Sequence, residues 1–261
     1  MHLGAWKPLC KAVARYATRS PRGLCLSAPI VIVLVVACEG TKRRSVTGKS
    51  EIPDSKIVGQ PMETSGKLVE LRRAVPGIVV ELPYATGANV ARRRLYPRDM
   101  PALLDPDTAR RLAHAQRSLA KQGRGLKLWD AYRPPEIQWE LWRRSGQSTY
   151  VADPRLWWSK HCSGRAVDVT LIDLETGAEL AMPSKFDDFS ERASSIYRGS
   201  DRQVRENLLV LKKAMRDAGF VGIEMEWWHY ANARHYGRNI APISARDAGI
   251  DLSHLGDIKR F

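Results

Sequence analysis

Three side chains in two short segments are of the types that hold a catalytic metal ion. His161 and Asp168 lie seven residues apart, and His229 stands in a second segment, residues 226–230. Histidine nitrogens combined with a carboxylate, with one position left open for water, form a common catalytic zinc site. His161 and Asp168 alone are weak evidence for such a site. The prediction of zinc therefore depends on His229 as the third ligand.

Glu226 could act on the water of the same metal, because it precedes His229 by three residues. On a straight strand this odd separation would put the two side chains on opposite faces. In a turn or a helix, residues three apart are neighbours. The hypothesis therefore requires the chain to leave regular strand between Glu226 and His229. The alternative interpretation is an aromatic core strand that ends in a buried histidine.

Asp168 stands in an apolar segment with strand character, residues 166–171. With alternation of period two, Asp168 and Thr170 face one side of the strand and the apolar residues between them face the other. A carboxylate in such a place needs a partner, since an unpaired buried charge is costly. The partner is either the metal or one of the chain's many arginines. His235, six residues after His229, is the rival metal ligand.

Helices and short strands follow one another in the part of the chain that must position these residues. Capping residues and apolar spacing predict helices over residues 105–123, 134–144 and 201–218. Segments with strand character cover residues 78–82, 126–129 and 166–171. They look half-buried and not continuously apolar, which favours an antiparallel sheet. The predicted fold class is α+β, with a small antiparallel sheet and helices packed beside it.

The first 37 residues have the pattern of an export signal. A basic stretch without acidic residues precedes an apolar run, residues 24–37, that ends at Cys38. The run is short for a membrane span, which needs about 20 residues. Its ending, Val-Val-Ala-Cys, resembles the bacterial lipobox, in which the cysteine is lipidated and becomes the N-terminus. The alternative is an uncleaved anchor or a buried strand.

The sequence is therefore predicted to have three parts. They are a lipoprotein-type signal peptide over residues 1–37, a flexible tether over residues 38–67 and a folded domain over residues 68–261. The tether is rich in Lys, Arg, Ser, Thr, Gly and Pro and has no aromatic residue. With Cys38 as the lipidation site, the domain would be exported to the cell envelope or periplasm and anchored to a membrane by lipid.

The basic charge of the chain bears on its partners. The net charge is +14, and loss of the signal would remove five positive charges and leave +9. This charge suits an anionic cell envelope, and nucleic acid is the rival partner. No motif of aromatic and basic residues for nucleic acid is present, so we predict a solvated basic surface and no nucleic-acid partner. After processing, Cys162 would be the one unlipidated cysteine, which excludes an intramolecular disulfide.

Four ordered motifs between about residues 68 and 236 resemble those of the M15 zinc metallopeptidases. Residues 159–168 look like the Ser-x-His-x-x-Gly-x-Ala-x-Asp signature of that family. Residues 226–229 look like its second signature, in the form typical of the D-alanyl-D-alanine dipeptidases of the VanX type. Residues 81–89 and residues 130–134 fit the same subgroup. The resemblance implies the α+β fold of M15 peptidases, which is hedgehog-like and DD-peptidase-like.

The resemblance also implies a catalytic role for several residues. The implied ligands of one zinc ion are His161, Asp168 and His229. The implied general base is Glu226. Arg133 would stabilise the transition state, where a fixed positive charge can face the developing negative charge. The alternative is that Arg133 only forms a bridge to Asp130 or Glu136.

The substrate-binding residues follow from the same resemblance. Ser159 and Tyr84 belong to the motifs and are predicted to contact the substrate. Asp187 and Asp188 stand in a stretch that resembles the acidic segment that meets the free amino group of the substrate. We predict that Asp187 makes this contact. The alternative for the pair is an ordinary loop or a helix cap before Ser190.

The leading prediction is zinc-dependent hydrolysis of the dipeptide D-Ala-D-Ala to D-alanine in the cell envelope. A close alternative is a D,D-carboxypeptidase or endopeptidase acting on longer peptidoglycan peptides, because the loops that cap the pocket decide substrate length. A non-catalytic zinc-binding module is a further alternative, and Glu226 and Arg133 argue against it. The sequence leaves the oligomeric state open, and residues 241–261 have no interpretation.

Overall fold

The structure, a computed structural model, describes residues 66–146 and 150–256. The predicted signal peptide, Cys38 and nearly all of the predicted tether lie outside the described residues, and so does the end of residues 241–261. Within the described ranges, no helix is long and apolar enough to cross a membrane.

The strands of the described residues form one two-stranded and one five-stranded sheet. In chain order they are β1 (Val69–Glu70), β2 (Val79–Val80), β3 (Leu103–Leu104), β4 (Arg124–Asp130), β5 (Ala166–Asp173), β6 (Phe220–Gly222) and β7 (His229–Asn232). The larger sheet has the order β2-β4-β5-β7-β6. Its pairings are antiparallel apart from β2 with β4, which is parallel. The α+β class with a small, mostly antiparallel sheet is confirmed.

Strand β5 lies in the middle of the larger sheet and is buried along residues 166–172. Since successive side chains point to opposite faces, both faces of the strand are covered. The half-buried pattern predicted for residues 166–171 is therefore wrong. Helices contact the sheet, and aromatic side chains from strand ends and loops complete its cover. The aromatic residues are Trp129, Phe186, Trp227 and Trp228. Their rings contact one another in pairs whose centres are 5.0–5.8 Å apart.

The helices are α1 (Leu71–Ala74), α2 (Pro106–Ala120), α3 (Pro135–Ser145) and α4 (Arg202–Asp217). The three predicted helices are confirmed, and α1 was not predicted. Asp105 caps α2 by accepting hydrogen bonds from the backbone N–H groups of residues 107 and 108, and Asp201 caps α4 in the same way. Each such cap stabilises the helix by about 1 kcal/mol. The apolar faces of α2 and α4 pack together and against the sheet.

The C-terminal segment, which the sequence left without interpretation, packs behind the loops that lead to the site. Ile243 N donates to the Cys162 carbonyl at 2.8 Å, and Tyr132 Oη donates to the Ile243 carbonyl at 2.7 Å. Two residues later, Ala245 N donates to the Glu136 carboxylate at 3.2 Å. The segment therefore joins the loop after β4, helix α3 and the turn before β5.

The turn before β5 is formed by a 3-10 helix, Lys160–Ser163, and by Gly164, which adopts a left-handed conformation at φ +67°. A Cβ atom on Gly164 would lie 2.9 Å from the backbone nitrogen of Asp105 and 2.6 Å from the Leu68 side chain. Glycine is therefore required for its conformation and for its space. The predicted turn over residues 163–164, which brings His161 back over the strand, is confirmed.

Replacement of Gly164 tests this crowding. We expect Gly164→Ala to lower the free energy of unfolding, measured with urea, by clearly more than the 1–2 kcal/mol of left-handed strain alone. The matched control is Gly123→Ala, because Gly123 has φ +69° and no atom near the added Cβ. Equal losses in the two variants would show that close packing at Gly164 contributes nothing.

Candidate active site

Three potential metal ligands converge where β5 and β7 begin. Asp168 on β5 pairs directly with His229 on β7, and the 3-10 turn brings His161 beside both. Asp168 Oδ1 lies 3.0 Å from His229 Nδ1 and 3.3 Å from His161 Nε2, and the two ring nitrogens are 3.1 Å apart. Among the described residues, this is the one group of three or more that could hold a metal ion. His235 does not belong to it.

The chemistry of this group fits a bound cation. His161 Nδ1 donates to the Ala131 carbonyl at 2.7 Å, which leaves the lone pair of Nε2 directed at the other two ligands. Lone pairs held this close in a buried site repel unless a proton or a metal lies between them. A tetrahedral zinc with bonds of about 2.0–2.2 Å has ligand atoms about 3.3–3.6 Å apart, near the separations seen.

The ionisation of the three groups follows from their contacts. Burial would raise the pKa of Asp168, but His161 and His229 lower it well below its usual range. Burial would lower the pKa of His161, but the Asp168 and Asp130 carboxylates raise it above its usual value. For His229, burial outweighs the opposing effect of Asp168 and the pKa is lowered. In the absence of metal, the buried carboxylate therefore stays ionised among the imidazoles.

Glu226 lies beside this group but does not belong to it. The chain turns over residues 226–228, since His229 N donates to the Glu226 carbonyl at 3.2 Å, and strand β7 begins only at His229. The required departure from strand between Glu226 and His229 is therefore confirmed. Glu226 Oε2 lies 4.0 Å from His229 Nδ1. Burial, followed by Asp168 and Asp187, raises the pKa of the Glu226 carboxyl well above its usual value.

Arg133 faces the metal group and also forms the bridge that was weighed against a catalytic role. Its Nη2 donates to Asp130 at 2.6 Å and lies 3.8 Å from Asp168 Oδ2, while Nη1 donates to Gln138 at 2.8 Å. The backbone N–H of Arg133 donates to the His161 carbonyl at 3.1 Å. The bridge to Asp130 is confirmed, and it is compatible with the catalytic role of Arg133, which stays a prediction. The bridge to Asp130 fixes the guanidinium beside Asp168, and Glu136 takes no part in it.

Asp130 connects several of these contacts, and no role was predicted for it beyond the bridge. It is fully buried and accepts hydrogen bonds from Tyr96 Oη at 2.6 Å, from Ala131 N at 2.9 Å and from Arg133. Its spacing of three residues from Arg133 was the available signal. The contact with Tyr96, 34 residues away in the chain, had no signal in the sequence.

Asp187 and Tyr84 lie together beside the metal group. Tyr84 Oη donates to Asp187 Oδ1 at 3.1 Å, and the Arg133 guanidinium lies 5.1 Å from the centre of the Tyr84 ring. Burial raises the pKa of Asp187 to about 7, against the lowering effect of Arg133. Asp187 has φ +57°, a left-handed conformation that aspartate tolerates better than most residues. Asp188 instead accepts from Ser190 Oγ at 2.7 Å and pairs with Arg192, which is exposed.

One cavity of about 370 Å³ unites the predicted residues. Its walls include all eight residues assigned to metal binding, catalysis or substrate contact, namely Tyr84, Arg133, Ser159, His161, Asp168, Asp187, Glu226 and His229. Ser159 also caps the 3-10 turn, where its Oγ accepts from His161 N at 3.3 Å. A cavity of this size suits a small molecule.

Comparison with known proteins gives the same result as the motifs. Residues 64–241 match the Peptidase_M15 family, described as D-ala-D-ala dipeptidase. The D-alanyl-D-alanine dipeptidase of Escherichia coli is 34% identical over 169 residues, which cover 65% of this chain and 86% of that protein. The D-alanyl-D-alanine dipeptidase of Enterococcus faecium is 29% identical over 182 residues, which cover 61% of this chain and 88% of that protein. The chain therefore belongs to the M15 peptidase family.

Proposed function

We propose that this peptidase binds one zinc ion and hydrolyses D-Ala-D-Ala to two molecules of D-alanine. The observation that carries the proposal is a single small cavity that combines the His161, Asp168 and His229 group with a separate, partly buried carboxylate, Asp187. The first can hold a metal beside a peptide bond. The second can bind the free amino group of the substrate residue whose carbonyl belongs to that peptide bond. The relatives named D-alanyl-D-alanine dipeptidase support this choice of substrate.

Two side chains would carry out the proton transfer and the charge stabilisation. When bound, zinc would supply a Lewis acid that polarises the scissile carbonyl and makes water more acidic. Glu226 in its ionised form accepts the proton of the attacking water and returns it to the leaving amino group, and a bound cation would favour that ionised form by offsetting the repulsion from Asp168 that raises the pKa of Glu226. Arg133, fixed by Asp130 and Gln138, faces the negative charge that develops on the carbonyl oxygen. Removal of such a fixed donor costs about 3–4 kcal/mol of transition-state stabilisation.

Asp187 favours a free dipeptide over longer substrates. Among the described residues Asp187 forms no salt bridge, and such a partly buried carboxylate gains from an ammonium group, which an N-acylated peptide lacks. Burial raises the pKa of Asp187 to about 7 despite the opposing effect of Arg133, and binding of an ammonium would favour its ionised form. A carboxypeptidase or endopeptidase would need an extended and uncharged path at this end of the cavity. A non-catalytic zinc module would need neither Glu226 nor Arg133 in these positions.

The first test compares free D-Ala-D-Ala with its N-acetyl form. We expect kcat/KM for the free dipeptide to exceed that for the acylated one by at least about tenfold, because the ammonium pairs with Asp187. Asp187→Asn should remove most of this difference, while Asp188→Asn should keep it, because Asp188 pairs with Arg192. A preference for the acylated peptide would contradict the dipeptidase proposal.

The second test concerns the general base. We expect Glu226→Ala to bind zinc in the same stoichiometry as the unaltered protein but to lose about 10²–10⁴-fold in kcat, the usual contribution of a positioned base. Zinc content is measured by atomic absorption and turnover by D-alanine release. Glu224→Ala is the control, since this exposed residue lies two positions earlier in the same segment. Turnover close to normal with zinc bound would refute the assignment.

We propose in addition that the chain is exported and anchored to a membrane through lipid on Cys38. The support comes from the sequence alone, namely the basic stretch, the apolar run of residues 24–37 and the ending Val-Val-Ala-Cys. We expect the protein in a bacterial host to fractionate with membranes and to carry a mass increase from acyl chains. Cys38→Ser should abolish both, whereas Cys162→Ser should change neither. Membrane association without added mass would point to an uncleaved anchor.

A further inference from the structure

The cavity carries a cation that the reaction scheme does not use. Lys160, the residue before His161, lines the cavity together with residues 236–239, and its side chain is half-buried. Asp187 lies close enough to Glu226 to raise its pKa, whereas among the described residues neither carboxylate lies within 4.0 Å of the Lys160 ammonium. The cavity therefore has an acidic region and a separate basic one.

Lys160 lacks an anionic partner within the described part of the protein. Its ammonium group donates a hydrogen bond to the backbone carbonyl of Arg238, and no described carboxylate lies within 4.0 Å of it. The charged side chain that acts on it is the guanidinium of Arg165, another cation. An ammonium has three donors, so the carbonyl of Arg238 leaves donor capacity unused.

Arg165 strengthens the positive potential in this region. Its side chain is 5% exposed, and Nε lies 3.7 Å from Asp105 Oδ2, beyond hydrogen-bond range. Neither Nε nor Nη1 of Arg165 has a hydrogen-bond partner. Its charge is therefore only loosely compensated, and it acts on Lys160, to which Arg165 is also joined by a backbone hydrogen bond of 3.0 Å. A half-buried cation in such surroundings favours an anion.

We propose that Lys160 binds the C-terminal carboxylate of the substrate and thereby makes the enzyme selective for peptides that end directly after the cleaved residue. The inference rests on the proposed dipeptidase function. A dipeptide at neutral pH is a zwitterion, with an ammonium at one end and a carboxylate at the other. Asp187 and Lys160 complement these two ends, and the metal group lies in the same cavity. Selectivity at the carboxyl end would then come from charge and not from a steric wall.

The experiment compares D-Ala-D-Ala with D-Ala-D-Ala amide, whose C-terminus is neutral, using the full zinc-loaded protein. We expect the unaltered enzyme to prefer the free acid by at least about tenfold in kcat/KM. Lys160→Met, which keeps the length of the side chain, should lower kcat/KM for the free acid by about tenfold to a hundredfold through KM. The same variant should leave kcat/KM for the amide within about twofold of the value for the unaltered enzyme. Lys160→Arg should recover part of the loss on the free acid.

The controls separate recognition of the carboxylate from a structural role of the hydrogen bond to Arg238. Lys121→Met, at an exposed position after α2, should leave kcat/KM for both substrates unchanged. An equal loss on acid and amide in Lys160→Met would assign Lys160 to holding residues 236–239, and an unchanged preference for the acid would also overturn the inference. Failure of the unaltered enzyme to cleave either compound would instead overturn the dipeptidase function itself.

Discussion

The antiparallel pairing that sets Asp168 on β5 opposite His229 on β7 places a carboxylate and an imidazole within 3.0 Å of each other in the protein interior. The rest of the site is arranged around this contact. Gly164 permits the turn that adds His161, and the turn over residues 226–228 adds Glu226 without making it a ligand. A cation at the meeting point of these groups removes the repulsion between lone pairs that the protein alone leaves in place.

The carboxylates around the cavity are held in different charge states by their partners. Asp168 is surrounded by imidazoles and is kept ionised, whereas burial and the negative charge of Asp168 raise the pKa values of Glu226 and Asp187. Arg133 moderates this repulsion but is itself engaged by Asp130. The site therefore has few spare positive charges in its acidic region. A metal cation and the ammonium group of the proposed substrate would both be attracted to this region, because each carries the positive charge that the carboxylates lack.

Much of this arrangement could be predicted from the sequence, because the signals were local. Helix caps at Asp105 and Asp201 fixed the helix starts, and residue type together with spacing predicted that the candidate metal ligands and Glu226 would lie together. The cover of β5 could not be predicted, since it comes from rings at distant positions such as Trp129 and Phe186. In sequence, a buried strand that carries polar site residues shows the same alternation of apolar and polar residues as a half-buried strand, and β5 is of the first kind. The hydrogen bond from Tyr96 to Asp130 and the unpaired state of Lys160 likewise exist only in the tertiary structure.

The C-terminal segment has a consequence for the order in which the site is completed. Ile243 links Tyr132, the neighbour of Arg133, to Cys162, the neighbour of His161. A chain is synthesised from its N-terminus, so residues 243–245 become available after both of these loops. Until they dock, the two loops that present the guanidinium and the first imidazole are joined only by their own hydrogen bonds. The arrangement of the candidate metal site is thereby coupled to the docking of a segment that follows both loops in the chain.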